Sequence, residues 1–322
     1  MRLKSPNRLP DMVRHVVVLV MVAIASLTLA GCIGSSSKEL AALGATVTAT
    51  EVDFVELYAY AGRAKAAYSA ESEIRRAYPS TVTVNSPGDT GAQYFVERDD
   101  QARTQYVSVR GTANKKNVAE DMEIALREDS AIDIPVHSGF DATAETLYAD
   151  MKPHLRNGYK TYVTGHSLGG AIAALLAIYM VEDGHNVVRV VTFGQPKFTT
   201  SAGAKRLGFL ALTRVVDEND MVPMLPPITT HDKTHGAYEH VGPEVILLEG
   251  PHYVFLADHD AERLSVNEFW RSVSFASLTD HHMDKYLGRL SSKSAGGVEV
   301  PYNRREKYVA AKPASQTETA RQ

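Results

Sequence analysis

The sequence predicts an α/β fold, with a mostly parallel central sheet and helices on both faces. Three observations predict it. From Ala142 onward, strand-like apolar runs alternate with helix-like ones, the order that repeated strand–helix–strand units produce. At the centre of that alternation an apolar run, Lys160 to Thr164, stops at Gly165-His166-Ser167-Leu168-Gly169 and passes into an Ala-rich helix. Residues 51–290 of the 322 are enough for one sizeable domain with a substantial core.

The chain does not enter that domain at once. Arg2, Lys4, Arg8 and Arg14 precede an uncharged apolar run from Val16 to Ala30, long enough for the apolar region of a signal peptide and short for a membrane span. It closes on Leu29-Ala30-Gly31-Cys32, which resembles a bacterial lipobox. The resemblance implies a signal peptide over residues 1–31, lipid attachment at Cys32, cleavage before it and acylation of the new N-terminus. Cys32 is the only cysteine, so the exported chain has no internal disulfide to form. Residues 32–50, rich in Ser, Ala, Gly and Thr, read as a tether. The expected location is the bacterial cell envelope, on a membrane that several acyl chains hold firmly where one holds marginally. Ile33, where an Asp would retain the protein, favours the outer membrane in a bacterium that has one.

Inside the domain, Asp53–Ala67 and Glu71–Ala77 have helical patterns, the second with Ser69 as its expected cap and Pro79 as its stop. Thr81–Val84, Tyr94–Arg98 and Thr104–Val109 are rich in strand formers, and Asp99-Asp100 makes a hairpin between the last two. A helix is expected over Ala142–Leu155, then the strand before Ser167. The helix after it runs to Gly184, which sits near a C-cap position. Strand Val187–Phe193, a short helix near Ala202–Leu207 and strands at Leu212–Val216, Val245–Leu248 and Tyr253–Phe255 complete the domain. Residues 291–322, with Ser-Ser-Lys-Ser and Ser-Gln-Thr-Glu-Thr, read as a solvated tail.

Gly-x-Ser-x-Gly between a strand and a helix is the pattern of a nucleophile elbow. A serine hydroxyl is a weak nucleophile, so it must stand on a tight strand-to-helix turn beside a base. Gly165 and Gly169 remove side chains that would collide across the turn. Net charge is −4, without a basic stripe or aromatic-basic interleaving, which excludes a nucleic-acid partner. His231-x-x-x-His235 has helical ligand spacing, but its surroundings read as a loop and no glutamate follows the first histidine. No metal or other cofactor is therefore expected.

Val109-Arg110-Gly111-Thr112, with Asn117 and Asp121-Met122 behind it, resembles the oxyanion-loop region of the fungal-type triacylglycerol lipases, the class 3 lipases. His137-Ser138-Gly139-Phe140, the serine elbow, Thr192-Phe193-Gly194-Gln195-Pro196, Asn219-Asp220-Met221-Val222-Pro223 and Asp280-His281 agree with that family in order. The resemblance extends over most of residues 55–290 and implies the α/β-hydrolase fold. It also implies a Ser-His-Asp mechanism through an acyl-enzyme: Ser167 as nucleophile, Asp220 as orienting acid, His281 as base. Thr112 and the backbone N–H of Leu168 would hold the oxyanion.

The residues alone leave choices open. Asp217, Glu218 and Asp220 share one loop after a strand, and family position singles out Asp220. His281 and His282 are adjacent and point apart, so only one can serve Ser167; the family's Asp-His pair favours His281 and leaves His282 at the surface. His137 reads as a structural hydrogen-bonder. Lys197-Phe198, where relatives carry Arg-Val, matters to packing more than to chemistry. The stretch Ala113–Glu120 is charged and lacks the bulky apolar face of a lid. The expected substrate is therefore a lipid or small carboxylic ester. Phospholipase and short-chain esterase are alternatives to triacylglycerol lipase, and an inactive membrane-anchored binding lipoprotein is the rival of another class.

Overall fold

A computed structural model describes residues 52–111, 126–129, 133–226, 231–232, 236–258 and 280–309. The expected signal peptide, Cys32, the tether and Thr112 lie outside the described residues. In chain order the first half holds α1 (Phe54–Ala66), α2 (Glu71–Ala77), β1 (Thr81–Asn85), β2 (Gln93–Asp99), β3 (Thr104–Arg110), β4 (Leu126–Asp129), β5 (Ile134–His137), α3 (Ser138–Met151), β6 (Lys160–His166) and α4 (Leu168–Glu182). The second half holds β7 (Asn186–Phe193), β8 (Thr199–Thr200), α5 (Ser201–Arg206), β9 (Leu212–Asp217), β10 (His231–Asp232), β11 (Gly236–Glu239), β12 (Glu244–Leu247), β13 (His252–Leu256), α6 (Met283–Ser291) and β14 (Val298–Glu299).

Among the described residues the main sheet has nine strands, in the order β1-β2-β3-β6-β7-β9-β12-β13-β14. Strands β3, β6, β7, β9 and β12 run parallel to their neighbours in this run, and β1 and β2 join antiparallel at the front. Alternation along the strands divides two faces. Val107 and Val109 of β3, Val163 of β6 and Val190 of β7 point into a core with Ala144, Leu147 and Met151 of α3 and the body of α4. On the other face Tyr106 stacks on Tyr162 at 4.7 Å, and Arg63 of α1 lies over the Tyr106 ring at 4.1 Å. Helices therefore cover both faces, as the sequence predicts.

Local chemistry explains most boundaries. The Asp53 carboxylate accepts from the N–H groups of Val55 and Glu56, both at 2.9 Å, and so caps α1; losing such a cap costs about 1 kcal/mol. The residue before α2 is Ala70 and makes no side-chain cap, so the expected capping role of Ser69 is corrected. Helix α3 starts at Ser138 rather than Ala142, and it ends at Met151 rather than Leu155 because Pro153 cannot continue an α-helix and the chain tightens into a 3₁₀ turn over Lys152–His154. Helix α4 is buried from Leu168 to Met180, which its Ala-rich sequence permits, and Gly184 takes φ +81° just past its end.

Two features depart from the sequence reading. A second sheet, in the order β10-β11-β8-β5-β4, pairs antiparallel throughout. The expected solvated tail from Ser291 is also corrected over residues 291–309, and its remainder, 310–322, lies outside the described residues. Lys293 is buried, its ammonium donating to the carbonyls of Leu248, Gly250 and Arg289 at 2.8, 2.8 and 3.1 Å. Strand β14 then pairs with β13, Val300 joins a core cluster with Ile246, Leu248, Val254 and Leu256, and Arg305 reaches Glu218 at 2.9 Å. An unpaired buried charge is costly, but each of these polar groups has found its partner inside the fold. The domain thus continues through Val309.

Candidate active site

The elbow forms where the parallel strand β6 feeds α4. Ser167 takes φ +61° and ψ −136°, a backbone state that costs a non-glycine residue about 1–3 kcal/mol. Its neighbours hold it there: the Ser167 N–H donates to the Phe193 carbonyl at 2.9 Å, and the Gly170 N–H donates to the Ser167 carbonyl at 2.8 Å. The turn is closed by contact of bare backbone. A Cβ on Gly165 would stand 2.1 Å from the Gly169 carbonyl oxygen, and one on Gly169 would stand 2.5 Å from the Gly111 nitrogen. Gly111, at the end of β3, lies against the same turn, where a Cβ would be 3.2 Å from the Leu168 nitrogen. Gly111 thus approaches the Leu168 amide, which as the first residue of α4 has no acceptor within its own helix.

Asp220 is buried in the turn after β9. Its Oδ1 accepts from the Val222 N–H at 2.9 Å, and its Oδ2 accepts from His281 Nδ1 at 2.7 Å and from the Tyr286 hydroxyl at 2.5 Å. A carboxylate can only accept, so the His281 proton sits on Nδ1 and neutral His281 keeps its lone pair on Nε2, the form a general base needs. That Nε2 is buried and has no hydrogen-bond partner among the described residues. Burial, then the nearby charges of Asp220 and Asp217, push the Tyr286 phenol well above its usual range, so it remains a donor.

The structure separates the acids that the sequence leaves together. Asp217 accepts from Arg289 Nε at 2.8 Å and Glu218 from Arg305 Nε at 2.9 Å, whereas Asp220 meets the histidine. It separates the histidines too: His281 faces Asp220, and His282 is exposed at the N-cap of α6. His137 is buried and stacked on Phe140 at 4.1 Å. His231 lies on β10, and His235 is outside the described residues. Buried Lys197 donates to the carbonyls of Met224 and Pro226 at 2.9 and 3.1 Å, bracing the loop that follows Asp220; burial, and then Arg214, bring its pKa down to about 8.

Two participants escape the sequence reading. Tyr286 gives Asp220 its third donor, and a lone tyrosine on a helix carries no chemical signature. Gly194, with φ +55°, makes room for the acid–base contact: a Cβ there would stand 2.7 Å from Asp220 Oδ2 and 2.9 Å from the His281 ring. Its signal is the glycine directly after a buried strand, in Thr192-Phe193-Gly194.

The chain was compared with known proteins. A family described as Lipase (class 3) matches residues 106–230, the segment from β3 through the elbow to the loop beyond Asp220. The secreted mono- and diacylglycerol lipase 1 of Fusarium solani is 32% identical over 173 residues, 50% of this chain and 49% of that one. A lipase of Rhizomucor miehei is 31% identical over 207 residues, 60% of this chain and 54% of that one. The chain thus spans about half the length of these two relatives. Among solved structures, a lipase from Rhizopus microsporus var. chinensis superposes with a TM-score of 0.60 at 27% identity, covering 73% of this chain and 88% of that one. Matched in sequence from β3 past Asp220 and in architecture over most of its described length, the chain is similar to the class 3 lipases across that segment and has an α/β-hydrolase fold.

Proposed function

We propose that the protein is a serine hydrolase that cleaves carboxylic esters of lipids through an acyl-enzyme. The observation that carries this reading is the 2.7 Å contact of Asp220 with His281, which leaves a lone pair on the imidazole Nε2 in a fold that also presents Ser167 on a strained elbow. In the reaction Ser167 Oγ attacks the ester carbonyl as His281 Nε2 takes its proton. The Leu168 N–H, with Thr112, meets the oxyanion. His281 then returns the proton to the departing alcohol, and water repeats the sequence on the acyl-enzyme. The match to the class 3 lipase family model supports the ester class, and the Fusarium relative's name specifies acylglycerols for that protein.

Chain length separates lipase from esterase. The full-length protein in detergent should hydrolyse p-nitrophenyl esters, with kcat/KM rising or falling along a series of increasing acyl length according to the depth of its acyl pocket. Turnover of no member would leave the binding-lipoprotein rival standing.

We further propose a lipid anchor at Cys32 that holds the domain at the cell envelope, supported by Leu29-Ala30-Gly31-Cys32 after the apolar run. Holding the enzyme on a lipid surface raises the local concentration of membrane esters without a large apolar lid, which suits the polar stretch Ala113–Glu120. The wild-type protein should fractionate with membranes and carry acyl chains at its N-terminal cysteine, while Cys32→Ser should remain unprocessed. Normal secretion of the mature Cys32→Ser protein would contradict the anchor.

A further inference from the structure

His166, the residue before the nucleophile, has no part in the mechanism above, yet it touches the base. Its Nε2 lies 2.8 Å from the backbone carbonyl oxygen of His281. A carbonyl only accepts, so Nε2 carries the proton and Nδ1 of the neutral ring holds a lone pair. The Tyr68 hydroxyl, 2.9 Å from Nδ1, donates into that lone pair and completes the assignment. Burial pushes the Tyr68 phenol above its usual range, which keeps it a donor. The His166 and His281 rings lie 4.5 Å apart, and Tyr286, the donor to Asp220, packs its ring edge-on to His166 at 5.9 Å.

We infer that His166 is a positioning residue for the base, locked by Tyr68 in the tautomer that ties the backbone of His281 to the end of the strand presenting Ser167. The inference rests on the proposed triad. Among the described residues the His281 side chain is otherwise held through Nδ1 to Asp220, and His281 lies in a loop rather than in the central sheet. The second tie sets the separation of base and nucleophile because donor and nucleophile are consecutive residues of one rigid strand end.

The test compares His166→Leu with His166→Gln, whose amide N–H can stand where Nε2–H stands, and with Tyr68→Phe. Two readouts are taken on the full-length protein: kcat and KM for a soluble p-nitrophenyl ester, and the rate at which a fluorophosphonate modifies Ser167. His166→Leu should lower kcat and the modification rate together by about 10- to 100-fold with KM unchanged, and His166→Gln should recover most of that loss. Tyr68→Phe keeps the ring and drops the donor, so it should show a smaller loss of the same kind. Wild-type rates in His166→Leu, or a folded His166→Gln as slow as His166→Leu, would overturn the inference. Should His166→Leu not fold, wild-type rates in Tyr68→Phe would overturn it. Rapid fluorophosphonate modification of a wild-type protein that cleaves no ester would count against the proposed substrate class alone, and the variants would still test His166.

Discussion

Ser167→Ala should reduce ester hydrolysis by about 10⁴-fold or more, while the protein melts close to the wild-type temperature. The change removes the attacking oxygen and little volume. The elbow imposes φ +61° on either residue, and the bonds that hold it, to the Phe193 carbonyl and from the Gly170 N–H, use the Ser167 backbone rather than its hydroxyl. Fold and activity therefore part company in this variant. The measurement is the steady-state rate on a p-nitrophenyl ester beside a thermal unfolding curve. Activity that survives the substitution would move the nucleophile elsewhere.

The adjacent histidines give the second large effect. His281→Ala should fall about as far as the serine variant, since without a base the hydroxyl is no better than water. The same change also leaves the buried Asp220 carboxylate with the Tyr286 hydroxyl and the Val222 N–H as donors, so a loss of stability should accompany the loss of rate. His282 is exposed at the start of α6, and His282→Ala should change kcat/KM by less than about threefold, the range of an ordinary surface substitution. Parallel rate assays and melting curves decide the matter. The opposite ranking would shift the base by one residue and with it the pairing to Asp220.

What the sequence makes legible follows the range over which each signal acts. Strand β6 and helix α4 can be read locally, because an apolar run, a glycine-bounded serine and an Ala-rich stretch lie side by side. The same holds for β7 and β9. The second sheet escapes because β8 and β10 are two residues each, too short to show alternation. The C-terminal segment misleads for a different reason: Lys293 and Arg305 are charged residues buried by partners far back in the chain, and composition alone assigns such residues to water.

The site divides the same way. Ser167 announces itself within five residues. Asp220 and His281 are 61 residues apart, and only their family positions pair them before the structure does. Nothing local marks Tyr286 as a donor to Asp220, because the contact exists only once α6 packs beside the end of β9. His166 lies inside the motif itself, yet its role depends on Tyr68 and His281, which only the fold brings to its two ring nitrogens.

Covalent capture tests the activation of Ser167 by His281 and Asp220 without assuming a substrate. Wild-type protein treated with a fluorophosphonate should gain one adduct, located at Ser167 by peptide mass analysis. Ser167→Ala should gain none, and His281→Ala should react more slowly by orders of magnitude. An adduct at another residue, or modification of Ser167 at an unchanged rate in His281→Ala, would contradict the account.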